Sequence, residues 1–132
     1  FVIGLHSLKS MGDVVTIAGL SLAVWSLEAT MYFLMLTAFS ALPFVSERVV
    51  AAAMMMVMIN LGIMIPAAPG GLGPYEAAGI LALAAFTVNE TVAASVALVT
   101  HALQYLMITG LGLIFIWRAG ISLVRVTGQT LL

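Results

Sequence analysis

The chain has 132 residues, of which 64 % are hydrophobic and only 7 % are charged, and its net charge is −1. Soluble domains carry about 25 % charged residues, so this composition, with a mean hydropathy of +1.25, indicates an integral membrane protein. The lack of a basic tract argues against a nucleic-acid partner. The absence of cysteine excludes disulfides and thiolate metal sites. We expect an all-α, polytopic bundle of transmembrane helices.

The first predicted span covers residues 14–42, which is long enough to cross a bilayer. Glu28 lies in its middle, and helical spacing places Ser21, Trp25 and Tyr32 on the same face. A carboxyl group is costly in hydrocarbon, so we expect Glu28 to face the bundle interior or a cavity. A functional role is favoured over the alternative, a protonated glutamate that only bonds to a neighbouring helix.

The second predicted span covers residues 49–65, with Ser46 as a candidate cap. It is rich in alanine, which lets helices approach closely, and in methionine, which fills irregular gaps. Without cysteine or histidine at ligand spacing, the methionines do not indicate a copper site. Asn60 is the strongly polar residue of the interior, and we expect it to bond to another helix.

A cluster of proline and glycine interrupts the apolar sequence after this span. Its members are Pro66, Pro69, Gly70, Gly71, Gly73 and Pro74. Proline lacks the N–H that a helix needs and glycine adopts positive φ, so we expect a non-helical break within 66–73. A new helix then begins with Gly73 at the N-cap and Glu76 at the third position. Two interpretations remain open: a binding site for an anionic or polar group, or a tight hairpin in which Glu76 only caps.

Two further helices are predicted after the break. The first covers residues 74–87 and is too short for a bilayer, so it is half of a re-entrant hairpin or a thin crossing lined by protein. A turn at 88–91 follows, in which Asn89 is expected to cap the next helix. The last span covers residues 91–117.

The last span carries polar residues on one face, and these are His101, Gln104 and Tyr105. Glu76 and His101 are separated from the turn by similar numbers of residues, so they should lie at similar depth and share one site. Alternatively, Glu76 caps its own helix while His101 bonds to Asn60 or Glu28. Ligation of a haem or chlorophyll by His101 is less favoured than a hydrogen bond between helices, and no cofactor or metal is predicted.

Three motifs resemble those of one family. They are Trp-Ser-Leu-Glu at 25–28, Ile-Pro-Ala-Ala-Pro-Gly-Gly-Leu-Gly-Pro-Tyr-Glu-Ala at 65–77, and His-Ala-Leu-Gln-Tyr at 101–105, which leads to Gly110 and Gly112. In this order they are similar to the lysylphosphatidylglycerol synthase transmembrane region, also called the flippase-like domain family. The resemblance extends over about residues 14–118. In the last helix, relatives often have a proline shortly after the place of His101. Met107 and Ile108 stand there in this chain, so whether its last helix has the family's kink is left open.

The resemblance implies a function and a setting. Family members are polytopic bacterial or archaeal membrane proteins that move lipids or lipid-linked molecules between leaflets, so the chain is expected to lie in the cell membrane, to contact membrane lipids and not to be an enzyme. Because members have more helices, residues 1–132 are expected to be one membrane domain, the C-terminal part of a larger protein.

The alternative is a non-catalytic accessory or assembly subunit that contacts other membrane subunits. An intramembrane hydrolase would need a nucleophile with a base, which the sequence does not suggest. The candidate substrate-binding residues are Glu28, Asn60, Pro69, Gly70, Gly71, Gly73, Glu76, His101, Gln104 and Tyr105.

Overall fold

The computed structural model describes residues 10–66 and 69–119, and within these ranges it is all-helical. The helices are α1 (Met11–Ala38), α2 (Val45–Gly62), α3 (Pro74–Ala84) and α4 (Glu90–Arg118), with a 3₁₀ turn at Pro69–Gly71 between α2 and α3. Three helices, α1, α2 and α4, are long and apolar enough to cross a membrane. The predicted fold class, an all-α membrane bundle with a proline- and glycine-broken segment, is therefore confirmed.

Helix α1 begins and ends earlier than the predicted range 14–42. A capping box explains its start: the Asp13 N–H donates to Ser10 Oγ (3.2 Å), and the Ser10 N–H donates to Asp13 Oδ2 (3.0 Å). At the other end the helix stops at Ala38, and Ser40 turns the chain with φ of 49°. Hydropathy marks only the apolar run that begins at Val14 and gives no signal for the polar cap before it.

Helix α2 also begins earlier than predicted, and the expectation that Ser46 caps it is wrong. The N-cap is Phe44, which makes no side-chain capping bond, and Ser46 lies inside the first turn. The loop before α2 is held instead by Arg48, which donates through Nε to the carbonyl of Leu42 (2.7 Å) and through Nη2 to that of Pro43 (3.2 Å). The guanidinium thus fixes the turn between α1 and α2.

The position of the break along the bundle axis follows from which helices are neighbours and from how long they are. Consecutive helices pack against one another, and α1 also touches α4. The short connections 39–44 and 85–89 lie at one end of the bundle, because each joins two antiparallel neighbours. At ~1.5 Å per residue, α2 extends about 27 Å from that end and α3 only about 16 Å. The break between them therefore lies within the ~30 Å thickness of a bilayer core.

Small residues allow α3 to approach its neighbours closely. A Cβ added to Gly62 would lie 2.8 Å from the Cβ of Ala78 and 3.1 Å from the carbonyl oxygen of Pro74. A Cβ added to Gly79 would lie 3.0 Å from the Cβ of Ala97. The alanine- and methionine-rich surface of α2 thus packs as the sequence predicts, with short side chains at the contacts. The fully or nearly fully buried residues of this core include Leu36, Ala51, Met55, Ile59, Ala82, Leu83 and Val96.

Much of the remaining surface is apolar and exposed. Residues 11–27 of α1 are exposed around the whole helix, and so is most of α4 beyond residue 101. Such surfaces contact acyl chains or other membrane helices. Helix α4 is one unbroken helix, and Met107 and Ile108 lie within it.

Candidate functional site

Three glycines shape the break. Gly70, Gly71 and Gly73 have φ values of 71°, 74° and 92°, which lie in the left-handed region that side chains with a Cβ avoid. The chain makes the 3₁₀ turn Pro69–Gly71 there and does not continue α2 into α3. The predicted non-helical break is confirmed for the described part of 66–73; residues 67 and 68 lie outside the described ranges.

Helix α3 starts as the sequence predicts. Gly73 is its N-cap, Pro74 occupies the first position, and the Gly73 N–H donates to Glu76 Oε2 at 2.7 Å. The carboxyl group thereby satisfies a donor that would otherwise be unpaired at membrane depth. Asn89 likewise caps α4, since its Oδ1 accepts from the Thr91 N–H at 2.9 Å.

Glu76 and His101 form one site. Glu76 Oε1 lies 2.6 Å from His101 Nδ1, and His101 Nε2 lies 2.9 Å from the carbonyl oxygen of Gly70. One imidazole therefore joins the break, α3 and α4. The structure does not show the alternative pairing, in which His101 bonds to Asn60 or Glu28.

The protons of this site can be counted. A backbone carbonyl only accepts, so His101 Nε2 must carry a hydrogen and donate it to Gly70. One further proton then lies between Nδ1 and Glu76 Oε1: it belongs either to an imidazolium facing a carboxylate or to a carboxylic acid facing a neutral imidazole. In both arrangements the pair has no net charge. Such a pair is well suited to a low-dielectric environment, where an isolated charge is costly.

Tyr75 connects this pair to the rest of the bundle. Its ring stacks on the His101 imidazole, with ring centroids 4.0 Å apart and planes 13° apart. Its hydroxyl lies 3.0 Å from Gln104 Oε1 and 3.2 Å from the hydroxyl of Tyr32. Tyr75 is buried, so it fixes the orientation of His101 from one side.

Glu28 is the second acidic centre, and it has the predicted environment. Asn60 Nδ2 donates to Glu28 Oε1 at 2.9 Å and also to the carbonyl of Met56 at 2.8 Å, so Asn60 bonds across helices as expected. The Tyr32 hydroxyl lies 3.4 Å from the same Glu28 oxygen. Glu28 faces protein and a cavity, and it has hydrogen-bond partners on two helices.

The remainder of the polar face on α1 is less enclosed than expected. Ser21 and Trp25 share a groove with Glu28 and Asn60, which confirms that they lie on one face. Of the residues that accompany Glu28, however, only Tyr32 is buried, and Trp25 is 46 % exposed. The reason is that no described helix packs against the first half of α1.

Two cavities flank His101. A polar cavity of about 360 Å³ lies between the break and the helices, and its wall includes Glu28, Asn60, Gly71, Tyr75 and Gln104. A mostly apolar groove of about 560 Å³ lies on the other side, and its wall includes Pro69, Leu72, Leu98 and Leu106 together with Glu76. His101 and Tyr105 belong to both walls.

The structure brings the candidate residues together, and two further residues join them. Tyr32 and Tyr75 were not among the candidates, although their hydroxyls connect Glu28 to Gln104. Tyr75 could have been found as the neighbour of Glu76 in the motif, and Tyr32 as the residue one turn after Glu28. Among the described residues, no group of three histidine, aspartate or glutamate side chains could hold a metal ion.

The fold and the site together define a multi-pass membrane protein with a polar, hydrogen-bonded centre at bilayer depth. The chain belongs to the family described as Lysylphosphatidylglycerol synthase TM region, whose model matches residues 3–112. Comparison with curated proteins and with solved structures gave no match. Membership of this family relates the protein to lipid handling.

Proposed function

We propose that the protein moves lipids or lipid-linked molecules between the two leaflets of a membrane. The observation that carries the proposal is the pair of adjoining spaces at His101, a polar cavity of about 360 Å³ and an apolar groove of about 560 Å³. A lipid has a polar headgroup and apolar chains, and each part has a matching space. The headgroup lies in the polar cavity, and an acyl chain lies along the groove.

The polar cavity supports this role through its hydrogen-bonding groups. His101 lies in the wall and forms with Glu76 a pair that has no net charge, and Asn60 and Gln104 add amides to the wall. Groups of this kind replace part of the hydration shell of a headgroup at a depth where water is scarce. Tyr105 lies between the two spaces, where a translocating lipid changes from polar to apolar contacts.

The proposal includes a cellular setting. The protein lies in the cell membrane of a bacterium or archaeon, its partners are membrane lipids, and it performs no covalent chemistry. Family membership supports the membrane setting and the relation to lipids.

A translocation assay tests the proposal. The full chain is reconstituted into liposomes with a fluorescent phospholipid, and an impermeant quencher reports the fraction of label in the outer leaflet over time. We expect the wild type to exchange the lipid and His101→Ala and Glu76→Gln to slow the exchange at least tenfold. Glu90→Gln is the matched control, because this acid also lies in the first turn of a helix but is outside both cavities. Full exchange rates in both site variants, at normal expression, would refute the transport role.

A second function, an accessory subunit of a membrane complex, is favoured by the exposed face of α1. The groove beside Ser21 and Trp25 ends at the polar groups of Glu28 and Asn60, which a lipid chain cannot satisfy. The chain has no cysteine, so Ser21→Cys gives a single site for crosslinking in native membranes. A crosslink to another protein from Ser21→Cys, with none from Leu106→Cys and no lipid exchange in liposomes, would favour this function.

A further inference from the structure

Glu28 and Asn60 each present one oxygen that the protein does not pair. Glu28 accepts two hydrogen bonds at Oε1, from Asn60 Nδ2 at 2.9 Å and from the Tyr32 hydroxyl at 3.4 Å, and its Oε2 has no hydrogen-bond partner among the described residues. Asn60 donates both hydrogens of its amide, one to Glu28 and one to the carbonyl of Met56. The amide oxygen of Asn60 is therefore the group that it has left.

Gln104 presents an N–H₂ group to the same cavity. Its Oε1 accepts from the Tyr75 hydroxyl at 3.0 Å, which leaves the amide hydrogens without a partner in the part of the chain that the structure describes. These groups are open to space, because no buried side-chain nitrogen or oxygen of the described residues lacks a hydrogen bond. Glu28, Asn60 and Gln104 all line the polar cavity, whose volume is about 360 Å³. A ligand there has two oxygens and one N–H₂ to bind.

This set of groups does not suit a charged headgroup. Among the described residues, neither lysine nor arginine lines the cavity, and both nitrogens of His101 are already bonded, to Glu76 and to the carbonyl of Gly70. A phosphate would face two oxygens without a cation to offset its charge, which is costly at this depth. A primary ammonium would bond to the two oxygens, but it carries only donors and cannot accept from the Gln104 N–H₂.

Hydroxyl groups match the whole set. Each hydroxyl donates one hydrogen and also accepts, so neighbouring hydroxyls can bond to the two oxygens and to the N–H₂. The match does not depend on the protonation of Glu28, because a hydroxyl donates to a carboxylate and accepts from a carboxylic acid. Glu28 and Gln104 are separated by two tyrosine hydroxyls, in contacts of 3.4, 3.2 and 3.0 Å. One ring that carries several hydroxyls can bridge this separation.

An exposed indole adjoins the same two oxygens. Glu28 and Asn60 also line the groove beside Ser21, and Trp25 in that groove is 46 % exposed. The C–H faces of a sugar ring are apolar and stack on aromatic rings, whereas the hydroxyls around its edge form hydrogen bonds. A carboxyl group, two amides and an aromatic face therefore lie around adjoining spaces.

We infer that the polar cavity binds an uncharged sugar or polyol headgroup, whose hydroxyls bond to Glu28, Asn60 and Gln104 and whose ring stacks on Trp25. The inference rests on the proposed function, because it takes the polar cavity as the headgroup site. It names the class of headgroup, which makes a glycosylated lipid the ligand. The apolar groove on the other side of His101 holds the chains of that lipid.

Calorimetric binding of short-chain lipids to the full chain tests the class of headgroup. The protein is held in micelles of a polyoxyethylene ether, a detergent that carries neither sugar nor charge. The lipids share two hexanoyl chains and differ in the headgroup, which is glucosyl, phosphoglycerol, phosphoethanolamine or phosphocholine. We expect the glucosyl lipid to bind most tightly. The phosphocholine lipid, whose headgroup has no hydroxyl, should bind at least about tenfold more weakly, because it lacks two or more of the hydrogen bonds.

Three substitutions test the residues. Asn60→Leu removes the amide oxygen and Gln104→Met removes the N–H₂, and each should weaken binding of the glucosyl lipid about 2- to 12-fold, the equivalent of one hydrogen bond. Binding of the phosphocholine lipid should not change. Both side chains also bond to protein groups, so Trp25→Leu is added, because its exposed indole forms no hydrogen bond with the described residues and should affect only the stacking. Glu90→Gln lies outside both spaces and is the control; size-exclusion elution shows whether each variant is folded.

The outcomes separate the inference from the function on which it rests. Equal affinity for the four lipids, tightest binding of the phosphoethanolamine lipid, or no binding at all would refute the headgroup class. A glucosyl preference that persists unchanged in Asn60→Leu, Gln104→Met and Trp25→Leu would refute the assigned residues. The liposome assay judges transport by itself: selective binding of the glucosyl lipid without its exchange between leaflets would support the headgroup class and refute the transport role. Methyl glucoside distinguishes the sources, because binding as tight as that of the glucosyl lipid would identify a free sugar as the ligand, whereas weaker binding would support a lipid.

Discussion

The contact between Glu76 and His101 makes the most direct prediction about stability. Replacing Glu76 by alanine removes the 2.6 Å bond to His101 Nδ1 and the 2.7 Å bond from the Gly73 N–H. A lost cap costs about 1 kcal/mol, and a hydrogen bond to a charged group contributes about 1.5–3 kcal/mol. Polar pairs between membrane helices average only ~0.6 kcal/mol, with a maximum near 1.7 kcal/mol. We expect this pair near that maximum, because it is short and its side chains are only 9 % and 19 % exposed.

A double-mutant cycle measures the pair alone. Glu76→Ala, His101→Ala and the double variant are unfolded reversibly in mixed micelles, and helix content is followed by circular dichroism. We expect a coupling free energy of about 1–2 kcal/mol. The control cycle pairs His101→Ala with Glu90→Ala, which should be additive to within about 0.5 kcal/mol. A coupling below about 0.5 kcal/mol for Glu76 and His101 would show that their proximity contributes no more than an average membrane contact.

Two substitutions of glycine test the geometry of the break and of the helix contacts. Gly70→Ala forces a side chain into a positive φ of 71° and places a Cβ 3.2 Å from Tyr105 Cε2, so we expect a loss of about 1–2 kcal/mol in unfolding free energy and slower lipid exchange. Gly62→Ala places a Cβ 2.8 Å from that of Ala78, and the overpacking should cost about 1–3 kcal/mol. Gly110→Ala is the control, because the added Cβ meets open space. It should stabilise α4 by up to about 1 kcal/mol. Equal stability of the Gly62 and Gly110 variants in the unfolding assay would contradict the packing argument.

The parts of the structure that local chemistry determines could be predicted from the sequence. The positions of Gly73, Pro74 and Glu76 define a helix start on their own, because each residue type suits its place in the first turn. The pairing of Glu76 with His101 followed from counting residues on either side of a turn. The first prediction depends only on residue preferences in the first turn of a helix, and the second only on helix rise and on antiparallel packing of neighbours.

The parts that depend on contacts between distant residues could not be predicted. The partner of Glu28 was known only as some group in the bundle interior, because the register of α1 on α2 is set by packing of the whole face. The role of Tyr32 and Tyr75 was missed for the same reason: their hydroxyls meet across residues that are 43 positions apart in the sequence. The early start of α1 was missed because its cap is polar, whereas the span was delimited by hydropathy.

The break is what makes a polar site feasible at this depth. A continuous helix would have used the carbonyl of Gly70 in its own ladder, and His101 would have lost an acceptor. The positive φ values of Gly70 and Gly71 turn that carbonyl out of the helical path and toward α4. The lack of a side chain at Gly70 leaves room for Tyr105, which lies beside both spaces. The backbone that interrupts the membrane helix therefore supplies a hydrogen-bonding group to the site and space for the residue that divides it.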